Sequence, residues 1–81
     1  MLSHTETMVR IVQEANEFQS SIVLKYNNKF IDAKSLLGLY TTMSDSEEYE
    51  LHVNGTDAAE ATKAMVQVFE KYGLRVKVAA S

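Results

Sequence analysis

From Thr5 to Phe18 the apolar residues Met8, Ile11, Val12, Ala15 and Phe18 recur at spacings of three and four, as a helix with one buried face requires. Ser3 or Thr5 can cap this helix, and Glu6 in its first turn suits the positive end of the helix dipole. His4 therefore falls in the cap. A helix amino end offers unpaired backbone N–H groups and a positive partial charge, so a side chain that carries a phosphate there finds the anion already stabilised. His4 is the side chain at this end suited to do so.

The rest of the chain switches between helical and alternating periods. Ser21 to Tyr26, rich in Ile22, Val23 and Leu24, reads as a strand. Asn27-Asn28 can supply the positive φ angles of a tight hairpin, with Lys29 to Asp32 as the returning strand. Asp32 can cap a short helix from Ala33 to about Tyr40, placing Ser35 in its first turn, and a polar loop follows from Thr41 to Glu48. Tyr49, Leu51 and Val53 alternate with Glu50, His52 and Asn54, a strand with one buried face that Gly55 ends. Asp57 and Glu60 fit a capping box for a helix that buries Ala61, Met65, Val68, Phe69 and Tyr72, and Gly73 is placed to stop it in a left-handed conformation. Leu74, Val76 and Val78 alternate with Arg75 and Lys77, the pattern of one more strand.

The resulting order, α-β-β-α-β-α-β, predicts an α+β sandwich: a mostly antiparallel four-stranded sheet covered on one face by the helices. Eighty-one residues suffice for one domain, residues 1–81, with one core. The chain has no cysteine, so neither a disulfide framework nor a thiolate metal site supplements that core. Hydrophobic residues at 46% and charged ones at 23% match a folded soluble domain, and no apolar run approaches a membrane span. No leader pattern opens the sequence, which leaves the cytoplasm as the expected location. The net charge of −3 and the cluster Asp45, Glu47, Glu48 and Glu50 argue against a nucleic-acid partner. Two histidines without matched carboxylate spacing make no metal site, no cofactor motif is present, and no catalytic triad or glycine-rich nucleotide loop is visible.

The stretches VRIVQEANEFQSSIVLKYNNKFIDAKSLLGLY and VNGTDAAEATKAM resemble the HPr phosphocarrier family of the bacterial sugar phosphotransferase system, from His4 to near Tyr72. The resemblance implies the HPr-like open-faced sandwich. It further implies that His4 carries a phosphate on Nδ1 between enzyme I and sugar-specific acceptor proteins. Ser35, within Lys34-Ser35-Leu36-Leu37-Gly38, matches the regulatory serine that a dedicated kinase phosphorylates. A protein of this kind is at most a phosphohistidine relay, not an enzyme with its own small-molecule substrate. The alternative is a regulatory module without relay chemistry, in which phosphorylated Ser35 and the Leu36 to Tyr40 face bind a transcriptional regulator.

Two departures from the family stand out. Its His-Ala-Arg-Pro motif is here His4-Thr5-Glu6-Thr7, so Glu6 replaces the arginine that would balance the phosphate. Two unit charges about 5 Å apart repel by roughly 3 kcal/mol at an effective dielectric near 20. A helix amino end returns about 0.3 to 2 kcal/mol, so relay chemistry requires Glu6 to point to solvent. Thr5, Glu6 and Arg10 are the phosphate-proximal residues, and Arg10 equally suits an acidic partner. The second departure is the sheet edge. The family's first strand precedes the histidine, where this chain has only Met1, Leu2 and Ser3, and the Leu74 to Val78 segment is the replacement. A crossover through the last helix would bring it in parallel to Tyr49–Asn54, whereas the family's first strand is antiparallel to that neighbour. Left unpaired, the edge would recruit a second copy into a homo-oligomer, a structural role in which both sites are relics.

Met8, Leu36, Leu37, Leu39, Tyr40 and Met43 match the apolar patch through which the family docks partners. Met8 reads as core, and Leu36, Leu39 and Tyr40 are taken as the partner-binding set. His52 shares a strand face with Glu50 and reads as a surface residue.

Overall fold

Asn27 and Asn28 take φ values of 54° and 65°, the two left-handed residues of a type I′ hairpin turn. They join β1 (Ser21–Tyr26) to β2 (Lys29–Asp32) in a computed structural model that describes residues 4–42 and 48–79. The other elements are α1 (His4–Ala15), α2 (Leu36–Thr42), β3 (Glu48–Asn54), α3 (Ala58–Lys71) and β4 (Arg75–Val78), in the expected order. The sheet order is β2-β1-β3-β4. β1 pairs antiparallel with both β2 and β3.

Alternation along the strands separates the two faces of the sheet. Ile22, Leu24, Ile31, Tyr49 and Leu51 are buried beneath the helices, which contribute Met8, Ile11, Ala15, Leu39, Ala61, Met65, Val68 and Phe69. Tyr49 lies between Tyr26, at 5.3 Å between ring centroids, and Phe69, at 6.4 Å. The opposite face carries polar side chains, among them Lys25, Glu50 and His52.

The end of α3 determines where the tail goes. Gly73 has φ +74°, its N–H donates to Glu70 O at 3.1 Å, and the Leu74 N–H donates to Phe69 O at 2.9 Å. This pair of bonds is a Schellman motif, completed by buried Leu74 beside Phe69. The chain then runs back along β3 as β4, parallel, in register Glu48↔Arg75 through Leu51↔Val78. The Ala79 N–H continues the ladder to Leu51 O at 2.9 Å. The tail thus fills the edge in the expected parallel sense, within its own chain, and the unpaired edge on which the oligomer reading rested is occupied.

Three local expectations are corrected. α2 begins at Leu36, not Ala33, because Asp32 closes a turn instead of a cap: its Oδ1 accepts the Lys34 N–H at 2.9 Å and its carbonyl the Ser35 N–H at 3.0 Å. Thr41 and Thr42 extend the helix into the stretch expected to be loop, and Glu48 belongs to β3; residues 43–47 lie outside the described residues. Asp57 makes no side-chain cap bond to α3, so the Asp57/Glu60 capping box is absent. Its carboxylate accepts instead the N–H groups of Gln19 and Ser20, both at 2.9 Å, and the Ser20 hydroxyl. Three donors from the entry to β1 outweigh the one a helix cap would offer. Gly55 makes room for this junction, since a Cβ there would lie 2.6 Å from Ser20 Cα.

The Ser20 hydroxyl, and after it the Gln19 N–H, hold the Asp57 carboxyl below its ordinary value. A depressed carboxylate stabilises the fold above the ordinary carboxylate range and loses that contribution as the pH falls through the lowered value. Asp57→Asn should therefore lower Tm at neutral pH. The gap from the parent should close as the pH falls below the ordinary carboxylate range, read by thermal unfolding across a pH series.

Candidate functional site

His4 is the first described residue of α1, one position further in than the cap expected from sequence, and its side chain is exposed. Thr5 and Glu6 beside it are exposed, while Thr7 and Met8 turn inward and seat the first turn against the core. Exposure of Glu6 meets the condition set by its charge, because water screens an exposed pair far more than an effective dielectric near 20 implies. Arg10 lies about 9 Å further along the helix axis. It lines an open groove between α1 and α3 with Glu14, Gln67 and Lys71. The structure groups His4, Thr5 and Glu6 at the helix start and places Arg10 with α3.

Ser35 caps α2 from just outside it, not from the first turn. Its Oγ accepts the Gly38 N–H at 3.2 Å, and its carbonyl accepts the Leu39 N–H at 3.2 Å. The neighbouring Lys34 ties this entry to the chain just past α1: its Nζ donates to Phe18 O at 2.8 Å, and Asn16 Nδ2 donates to Lys34 O at 3.4 Å. Ser35 is thus near the end of α1 opposite His4.

The apolar face of α2 differs from the expected set by one exchange. Leu36, Leu37 and Tyr40 are exposed, at 42%, 73% and 61%. Leu39 is fully buried, so its assignment to the partner-binding surface is corrected. On a helix of seven residues with three leucines and a tyrosine, composition does not say which side faces inward. The contact between Ile31 and the Gly38 region settles it, turning Leu39 under and Leu37 out. Met8 is core, as expected, and Met43 lies outside the described residues.

His52 is half-buried on the open face, with Nε2 2.7 Å from Glu50 Oε1 and the Phe30 ring edge-on at 5.9 Å between centroids. Among the described residues, no three histidine, cysteine, aspartate or glutamate side chains form a metal-holding group, and no helix is long and apolar enough to cross a membrane.

A four-stranded sheet with helices on one face, and a histidine opening the first of them, define a class that comparison with known proteins makes specific. A family model described as the PTS HPr component phosphorylation site matches residues 3–71. The chain belongs to the HPr family of the phosphotransferase system, whose members act as phosphocarriers or regulators. It is similar to an HPr dimer from Thermoanaerobacter tengcongensis, at 32% identity over 86% of this chain and 82% of that one, with a TM-score of 0.80. It is similar to Crh, the catabolite repression containing protein of Bacillus subtilis, at 30% identity over 85% and 80%, with a TM-score of 0.78; that structure is described as a swapped dimer. A phosphocarrier HPr from Bacillus anthracis is 28% identical over 78% and 76%, with a TM-score of 0.71. β4 lies beyond the stretch the family model matches.

The division of the α2 leucines is open to a direct check. Leu39→Ala should destabilise the fold by about 2 to 5 kcal/mol, and Leu37→Ala by no more than about 0.5 kcal/mol. Urea unfolding of both variants measures the difference.

Proposed function

We propose that His4 is the phosphoacceptor of a relay, taking a phosphoryl group from enzyme I and passing it to sugar-specific acceptor proteins in the cytoplasm. The observation that carries this is an exposed histidine at the amino end of α1, inside the stretch matched by a phosphorylation-site family model. The neutral imidazole Nδ1 attacks the phosphorus of the donor phosphohistidine in line. A P–N bond to His4 forms as the donor P–N bond breaks; the His4 ring gives up its Nε2 proton and the departing imidazole takes one up. The first-turn N–H groups favour the added charge by about 0.3 to 1 kcal/mol, and Glu6 opposes it through solvent. His4 is a relay site, and the chain, acting as one domain of residues 1–81, needs no cofactor.

Ser35 is the second site of this reading. Its phosphorylation by a regulatory kinase would turn the capping Oγ into an ester oxygen, add phosphate acceptors at the amino end of α2, and place charge beside the exposed Leu36, Leu37 and Tyr40. That face then serves acceptor proteins or a transcriptional regulator according to the state of Ser35. Similarity to both HPr and Crh structures supports the two uses of one surface.

The test is incubation with phosphoenolpyruvate and a bacterial enzyme I, read by intact mass and acid lability. An acid-labile phosphate that disappears in His4→Ala is expected, and no transfer beside an active HPr control would overturn the relay. Glu6→Gln should accelerate phosphorylation about three- to tenfold, the effect of removing roughly 1 kcal/mol of repulsion.

A further inference from the structure

β4 closes the sheet on one side, and among the described residues no strand lies on its other side. In a strand, the N–H and C=O of one residue point to the same side and alternate from residue to residue. The Ala79 N–H donates to Leu51 O, so Arg75, Lys77 and Ala79 direct their main chain at β3. Val76 and Val78 therefore turn theirs outward, a short row of peptide groups aligned for another strand.

The side chains state what kind of strand that would be. Val76 and Val78 share the helix-covered face with Tyr49 and Leu51, their partners in register, and Val78 is 48% exposed at the lip. Arg75 and Lys77 share the open face with Glu48 and Glu50. On its inner side β4 thus already pairs with an alternation of acidic and apolar residues, Glu48-Tyr49-Glu50-Leu51. Side chains stand nearly perpendicular to a sheet, so Arg75, Val76, Lys77 and Val78 are neighbours of whatever lies on either side of β4. Charge points the same way. Residues 71–81 hold Lys71, Arg75 and Lys77 and no acidic residue, in a chain whose net charge is −3.

We propose that the outer edge of β4 is a strand-addition site for an extended segment of another protein that alternates acidic and apolar residues. A second copy of this chain does not fit. Antiparallel pairing of two β4 strands in one continuous sheet sets Arg75 and Lys77 of one copy against those of the other. Among the described strands only β3 has the acidic alternation, and both of its edges are taken. The site is separate from His4 and from α2, so it stands whether or not the relay does.

The probe is a capped peptide of the β3 sequence Glu48–Val53, titrated into the full chain labelled with nitrogen-15. Shifts centred on the Val76 and Val78 amides are expected. A peptide with lysine in place of both glutamates should bind at least about tenfold more weakly to the unaltered chain. Val76→Pro removes an outward N–H without touching the β3 ladder and should weaken the acidic peptide at a retained fold. Equal binding of the two peptides, shifts confined to Leu36–Tyr40, or no shift at millimolar peptide would overturn the site. A dimer forming through β4 without peptide, seen by light scattering and abolished by Val76→Pro, would overturn the assignment to another protein.

Discussion

The sheet depends on β3 having a neighbour on both sides. Tyr49 and Leu51 are fully buried, and burying an aromatic or aliphatic side chain of that size contributes about 1.5 to 3 kcal/mol each. That burial holds only while β1 covers one flank of the strand and β4 the other. Without β4, the outward main chain of β3 would lose its partners and Tyr49 would lose the cover of Val76 and the order imposed on Phe69 by the Leu74 turn. Four residues of parallel strand thus complete a core made mostly by antiparallel pairing.

This arrangement separates the scaffold from the site. The position of His4 follows from α1 alone: Met8, Ile11 and Ala15 anchor one face of the helix, and its first turn emerges at the surface with His4, Thr5 and Glu6 exposed. At the other end Lys34 bridges to Phe18 and sets the entry of α2, where Ser35 is the cap. The two proposed modification sites therefore lie toward opposite ends of α1, His4 in its first turn and Ser35 as the cap of α2. In the proposed reading, specificity toward partners falls to Leu36, Leu37 and Tyr40, which are exposed on α2.

Much of this was legible from the residues. The 3.6-residue period of α1 and α3, the Asn27-Asn28 turn, the Gly73 stop and even the parallel return of β4 follow from local chemistry, because each involves neighbours in sequence or a single crossover. What failed needed distant partners. Asp57 looked like a helix cap, since the three donors that claim it arrive from residues 19 and 20. Leu39 looked like surface, since the choice between it and Leu37 is made by Ile31 and the sheet beneath. The outward pattern of β4 carries no sequence signal until its register with β3 is known.

The fold stands on the parallel pairing of β3 with β4. Its most direct test is hydrogen exchange and interstrand nuclear Overhauser contacts on the labelled full chain. Contacts between Tyr49 and Val76 and between Leu51 and Val78, with slow exchange at Lys77 and Ala79 and fast exchange at Val76 and Val78, are predicted. Uniformly fast exchange across residues 75–79, or antiparallel contacts to β3, would contradict it.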